Sequence, residues 1–391
     1  MLLEKGVDAR LRGRSRPRLA LLVGPLASKV APACAAWSVT PEDEAAAPAA
    51  PPIGVAGRAA ENAERALPGG WGVVGVFLGQ ANAHSAAMVG REVLLAVQET
   101  RGETLPAITV VSGTRQGDLS ALSVHLDGMP RSVVVKCTTK MWDAPRVITA
   151  AVRVRIDALP IGLGDNAPSD AAEALRRAAR GMAVRTTTPD ARWLDADDAV
   201  SLHRVMGQDV RHVDVLLPLE TQGDADAAEA RLSIDGDMTL VVALSGASGR
   251  AAAAPTVGDL RAALAQDLVR SVSSRVRLAL DETSNLPRRV LFPLPIASGG
   301  SIVVCDYLTD KEPLSETVAR AAELMDGLVV DMDALDDCEA RHGSPATRAA
   351  SAAAAAATGG LLPSLDWRMG VTIVGVAVMA AQLASLALDA L

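Results

Sequence analysis

Leu67-Pro68-Gly69-Gly70-Trp71-Gly72-Val73-Val74-Gly75-Val76-Phe77-Leu78 is the stretch on which the fold turns. A helix predicted from Gly57 to Leu67 must stop at Pro68, which lacks the N–H that the next helical turn needs. Gly69 and Gly70 then permit a sharp reversal. Trp71 to Leu78 is a continuous apolar run broken only by glycines, the pattern of a strand buried on both faces whose glycines let another backbone come close.

Toward the N-terminus, Leu19 to Val23 reads as a first strand and Ala33 to Val39 as its hairpin partner, followed by an acidic and Ala/Pro-rich loop at Pro41 to Pro52. Arg10, Arg12, Arg14, Arg16 and Arg18 make residues 1–18 an Arg-rich tail that loosely resembles a targeting peptide. Gly24 and Pro25 end the apolar run after it too soon for one. Beyond the central strand, Ala83 to Glu99 is helical, with Met88, Val89, Leu94, Leu95 and Val97 offering a buried stripe. Strands are expected at Ala107 to Val111, Ser120 to Leu126, Ser132 to Cys137 and Val147 to Ile156, then a helix at Ser169 to Met182.

A second region is expected from Val200. Leu232 to Leu244 reads as a hairpin around Asp235-Gly236-Asp237, a favoured turn sequence. Thr256 with Asp259 resembles a capping box and opens a long helix to Glu282, with Val257, Leu260, Leu264, Leu268, Val272 and Val276 at three-to-four spacing. Arg289 to Leu294 and Ser301 to Tyr307 read as strands, and Leu314 to Leu328 as a closing helix. The expected organisation is α+β: a tail at 1–18, a first domain at 19–199, a second region at 200–343, an Ala/Gly/Ser-rich tether at 344–366 and a tail anchor at 367–391.

The anchor rests on Met369 to Leu388, which carries no charged residue. A helix of this length spans about 30 Å, the hydrocarbon thickness of a bilayer. Trp367 suits the headgroup region and Arg368 the side that is not translocated. The expected location of everything before it is the cytosolic face.

With 391 residues, of which 49% are hydrophobic, the chain can bury a sizeable core. A net charge of -8 and aromatic content of 2% argue against a nucleic-acid partner, which calls for a basic face and stacking side chains. Cys34, Cys137, Cys305 and Cys338 are scattered without a C-x-x-C pair, so neither a zinc ribbon nor a disulfide framework is indicated.

His84, His125, His203, His212 and His342 form no H-x-H or H-E-x-x-H pair, the spacings that present two ligands to one metal. Ser245-Gly246-Ala247-Ser248-Gly249 lacks the lysine and the spacing of a phosphate loop. No cofactor motif is readable. Cys305 is the one thiol in an ordered element beside an acid, Asp306. Alternation places it with Tyr307 on one face among Ile302, Val303 and Val304, where a structural thiol is favoured over a nucleophile, and the charge of Asp306 opposes thiolate formation.

Arg289-Val290-Leu291-Phe292-Pro293-Leu294-Pro295 followed by Val303-Val304-Cys305-Asp306-Tyr307 resembles the odorant response abnormal protein 4 family. Leu67-Pro68-Gly69-Gly70 leading to Gly75-Val76-Phe77 is similar to a second stretch of that family, and Leu21 to Gly24, the helix around Asp267 to Glu282 and the C-terminal span fall in the family order. The chain departs from the pattern in its Arg-rich start and low aromatic content. The resemblance implies an N-terminal half similar to the Mpr1/Pad1 N-terminal fold without its metal ligands. It also implies a non-enzymatic adaptor of the endoplasmic reticulum membrane, whose partners are the protease of the ubiquitin-fold-modifier pathway and G-protein-coupled receptor clients. The family motif residues carried over are Leu67, Pro68, Gly69, Gly70, Gly75, Phe77, Arg289, Val290, Pro293, Leu294, Pro295, Cys305, Asp306 and Tyr307. Glycine and proline act mainly through backbone geometry, so the motifs read as fold-determining before partner-contacting. The alternative from another class is a membrane-tethered cysteine hydrolase using Cys305.

Overall fold

The computed structural model describes residues 2–12, 18–26, 32–39, 54–79, 81–113, 118–138, 146–161, 172–173, 175–177, 179–186, 194, 202, 212–216, 230–244, 255–281, 287–295, 301–309, 312–324 and 331–339. In chain order the elements are β1 (Leu2–Glu4), α1 (Lys5–Arg12), β2 (Leu19–Pro25), β3 (Pro32–Ala33), β4 (Ala35–Ser38), α2 (Val55–Ala66), β5 (Trp71–Leu78), α3 (Ala83–Arg101), β6 (Ile108–Gly113), β7 (Leu119–Val124), β8 (Arg131–Val133) and β9 (Lys136–Thr138). There follow β10 (Arg146–Ile161), β11 (Ala183–Thr186), β12 (His212–Leu216), β13 (Ala230–Leu244), α4 (Val257–Asp281), β14 (Arg288–Pro295), β15 (Ser301–Leu308), α5 (Ser315–Leu324) and β16 (Asp336–Asp337). This is a mixed α+β arrangement.

The first sheet has the order β4-β2-β5-β6-β7-β8, with β5 near its middle as the glycine-punctuated run requires. Only β5 and β6 run parallel, and α3 makes the crossover between them. The small residues Ala56, Ala60 and Ala63 turn α2 inward, and Val89, Val93, Leu94 and Val97 turn α3 onto the same face of the sheet. Glu92 of α3 ties the two helices by accepting the Gly57 N–H at 2.6 Å. Met88 and Leu95, expected in the buried stripe, are 43% and 54% exposed. The helix turns its smaller residues, Ala86 and Gly90, to the sheet instead: a Cβ on Gly90 would stand 2.6 Å from Val110.

Residues expected to form a tail fold onto the opposite face. Leu3, Val7 and Leu11 are buried there with Ala20, Leu22, Phe77, Val111 and Ala121. Their spacing of four places them on one helical face, and that apolar period outweighs the arginines between them. The strand expected at Ser132 to Cys137 is divided: β8 completes the first sheet, while β9 joins β1 and β3 in a small parallel sheet.

The second sheet has the order β11-β12-β10-β13 and is covered by α4, whose Val257, Leu260, Leu264, Leu268, Val272 and Val276 are all buried. Full burial of such side chains stabilises by about 1.5–3 kcal/mol each. The capping box forms: Thr256 N–H donates to Asp259 Oδ2 at 2.8 Å, and Asp259 N–H to Thr256 Oγ1 at 3.1 Å. The expected hairpin at Leu232 to Leu244 does not. Asp235, Gly236 and Asp237 lie inside one continuous β13, opposite Arg155, Val154 and Arg153 of β10. Continuing a ladder along a partner strand outweighs the local preference of Asp-Gly-Asp for a turn. This sheet also crosses the division expected between residues 199 and 200, because β10 and β11 precede it and β12 and β13 follow it.

The third sheet, β15-β14-β16, is antiparallel. Its Phe292, Ile302 and Val304 join the core under α2 and α3, while Leu291 and Cys305 on the other face pack with Val241 of β13.

Candidate functional site at the edge of the second sheet

β13 pairs with β10 along one side, which leaves the backbone groups of Thr239, Val241 and Ala243 facing the other. A bare edge inside a protein would strand these donors and acceptors. Here they are taken up one by one. Thr239 N–H donates to Glu339 Oε1 at 3.1 Å, and its carbonyl accepts from Arg289 Nη1 at 3.0 Å. Val241 N–H donates to Asp267 Oδ2 at 2.7 Å. The Val241 carbonyl accepts from Gly69 N–H at 3.0 Å, and Ala243 N–H donates to the Gly69 carbonyl at 2.9 Å. Three side chains and one glycine backbone thus take the place of a fifth strand.

Gly69 can do this because it has no side chain. A Cβ there would lie 1.9 Å from the Ala263 carbonyl oxygen of α4. Gly70 has φ +85°, in the left-handed region, and its N–H donates to Gln266 Oε1 at 2.9 Å. Ala263, Gln266, Asp267 and Arg270 recur at three-to-four spacing, so one face of α4 receives the whole Leu67-Pro68-Gly69-Gly70 reversal.

Arg289 is the hub of this edge. Its guanidinium grips Asp267 through two bonds, reaches Cys305 Sγ at 2.7 Å, and stands 5.9 Å from the Tyr307 ring centroid. Its backbone N–H donates to Glu339 Oε2 at 2.9 Å, while Cys338 Sγ–H donates to its carbonyl at 3.4 Å. Arg275 completes the ring of charge, bonding Glu339 at 2.6 Å and lying 5.5 Å from the same tyrosine ring. Burial pushes the Glu339 carboxyl up, but Arg275 and the Arg289 and Thr239 amides outweigh it and hold the group below its ordinary value.

A second buried cluster lies one turn along α4. Glu64 of α2 accepts from Arg101 of α3 at 2.5 Å, from Arg270 of α4, and from the Val73 N–H of β5 at 2.6 Å. Arg270 also donates to the Trp71 carbonyl at 2.9 Å and to those of Leu67 and Pro68 at 3.3 Å. Burial alone would raise the Glu64 carboxyl, yet Arg270 and Arg101 keep it below its ordinary value.

The two family motifs therefore converge on one edge. Leu67, Pro68, Gly69 and Gly70 supply its outer backbone, and Arg289, Cys305 and Tyr307 its buried polar side chains. Val290 is buried between Asp306 and Asp337 on the neighbouring strands. Pro293, Leu294 and Pro295 pair with Val303, Ile302 and Ser301, beyond the two residues that β16 reaches, so the prolines lie where no donor is called for on that side. Gly75 and Phe77 belong to β5 and lie away from this edge, facing β2 and β6. Asp306 faces the other way and pairs with Arg320 at 2.9 Å. Trp367, Arg368, Met369 and Leu388 lie outside the described residues, and among the described residues no helix is long and apolar enough to cross a membrane.

Chemically the site is closed. Cys305 is 3% exposed, and burial pushes its thiol up to about 11 against the pull of Arg289. The source of that shift differs from the one read in sequence, since the Asp306 carboxylate is engaged with Arg320 and the nearby acid is Asp267. Tyr307 is likewise pushed up to about 12 by burial. Sequence reasoning did not find Glu64, Arg101, Asp267, Arg270, Arg275 or Glu339. The available signal was a pair of charges, Asp267 and Arg270, set within the apolar period of α4.

Mixed sheets bridged by buried ion pairs define an α+β protein whose motif residues sit at the contacts between layers. The family model described as Odorant response abnormal 4-like matches residues 56–336, and the chain belongs to that family. Among solved structures, it is similar to the crystal structure of UfSP from C. elegans, at 11% identity and a TM-score of 0.47, covering 83% of this chain and 56% of that one. The chain thus spans little more than half the length of that relative. No curated protein matches it.

Proposed function

We propose that this protein is a non-enzymatic adaptor held at the endoplasmic reticulum membrane by Met369 to Leu388, with the bulk of the chain cytosolic. Its folded part recruits a protease of the ubiquitin-fold-modifier pathway and assists the folding or trafficking of receptor clients. Family membership over residues 56–336 is the observation that carries this reading. The first sheet, with α2 and α3 on one face, is taken as the part similar to the Mpr1/Pad1 N-terminal fold.

The closed state of Cys305 supports binding over catalysis. A cysteine hydrolase needs an accessible thiolate, and this thiol is buried and pushed up to about 11.

Proximity labelling from the intact, membrane-inserted chain tests the reading. Recovery of a modifier protease supports scaffolding, and recovery of polytopic receptors supports the trafficking arm. Removal of residues 367–391 is expected to shift the protein into the soluble fraction after alkaline wash. A chain that stays in the pellet without them is not anchored by that run.

A further inference from the structure

In the small parallel sheet β3-β1-β9, the central strand is β1, and β3 and β9 have no other strand partner among the described residues. Leu2 and Leu3 lie opposite Pro32 and Ala33 on one side, and Leu2, Leu3 and Glu4 opposite Lys136, Cys137 and Thr138 on the other. The chain passes directly from this strand into α1, where Val7 and Leu11 continue the buried line begun by Leu3. Those three side chains are 0–2% exposed, over Ala20, Leu22, Phe77, Val111 and Ala121 of the first sheet. The outward side is polar, with Arg12 Nε bonded to Asp8 at 2.9 Å.

One contiguous segment, Leu2–Arg12, thus supplies both strand edges and the apolar cover. The residues that receive it come from four separate parts of the chain. Everything the slot recognises is local in sequence, so the segment makes the same contacts whether it comes from its own chain or from another copy. Gly13-Arg14-Ser15-Arg16-Pro17, which joins it to β2, carries no apolar side chain. The contacts of cis and trans forms are identical, and the choice between them falls to connection length and concentration.

We propose that the slot between β3 and β9 is a strand-acceptor site, and that its second occupant is Leu2–Arg12 of another copy of this chain, exchanged to give a dimer. This inference stands apart from the adaptor reading. It concerns how copies associate, and it involves neither the membrane run nor the edge of β13.

The test uses the full chain carrying one of two affinity tags. The two forms are mixed at high concentration in mild denaturant and returned to buffer, with or without a synthetic Met1–Arg12 peptide in excess. The expected result is co-purification of the tags, lost when the peptide is present and retained when the peptide carries Leu3→Asp and Leu11→Asp. Absence of co-purification overturns the proposal. So does co-purification that the natural peptide leaves unchanged, which would place the contact elsewhere, and so does equal loss with both peptides.

Discussion

The Arg289 guanidinium meets the Asp267 carboxylate side-on, Nη1 to Oδ2 at 2.6 Å and Nη2 to Oδ1 at 2.8 Å, with both side chains 0% exposed. Such a pair adds little net stability, because desolvation consumes most of the attraction, yet breaking it strands a buried charge. Arg289→Met is therefore expected to destabilise by about 3–5 kcal/mol in urea unfolding. Adding Asp267→Leu should recover part of that loss but not all, since Val241 N–H would still lose its acceptor. A single-variant loss below about 1 kcal/mol would place the pair in solvent.

Gly69→Ala forces a Cβ to within 1.9 Å of the Ala263 carbonyl oxygen, a backbone atom that cannot swing aside. Overpacking of this kind costs about 1–3 kcal/mol, and the closeness here predicts the upper end. Gly128→Ala is the control, because its Cβ would stand 3.4 Å from the nearest atom, His125 Cβ. That control should change stability by no more than about 0.5 kcal/mol. Equal effects in thermal unfolding would mean that the reversal at Gly69 does not press against α4.

Acid should loosen the molecule through Glu64 and Glu339. Both carboxyls lie below their ordinary value of 4.5 in the folded protein, where paired arginines outweigh burial. A depressed folded value contributes stability that is present above the ordinary range and lost as pH falls through the folded values. The melting temperature is expected to fall steeply below about pH 4.5. Glu64→Gln, whatever it costs at neutral pH, should make that fall shallower; an unchanged slope would remove Glu64 from the account.

Thiol chemistry should separate the four cysteines. Cys137 is exposed, whereas Cys34, Cys305 and Cys338 are buried. Brief alkylation at neutral pH followed by peptide mass spectrometry should modify Cys137 first and the others only on unfolding. Burial raises Cys305 to about 11 and Cys338 to about 12 from an ordinary 9.0, so their contribution is full below pH 9 and lost as pH rises toward those values. Early modification of Cys305 in folded protein would reopen the hydrolase reading.

What could be read from sequence was what local chemistry controls. Pro68 ends α2, the glycines after it turn the chain, and Thr256 and Asp259 cap α4 where their spacing predicts. Asp235-Gly236-Asp237 misled because its turn preference is a local quantity, while the strand is set by β10 lying alongside. Met88 and Leu95 misled for a similar reason. A helix buries the face that fits its neighbour, and α3 needed small residues against Val110 and Val124.

The motif residues were visible in sequence, but their purpose was not. Arg289 meets Asp267 across 22 residues, and Arg270 meets Glu64 across 206. Sequence by itself determined where elements begin, where they stop and which faces are apolar, because propensity, capping and periodicity act within a few residues. Only the tertiary structure decided which charges share the interior, because a buried charge survives only beside its partner and the fold alone chooses that partner. It also decided that an edge left open by β13 is closed by Glu339, Arg289, Asp267 and Gly69, four residues drawn from three distant parts of the chain.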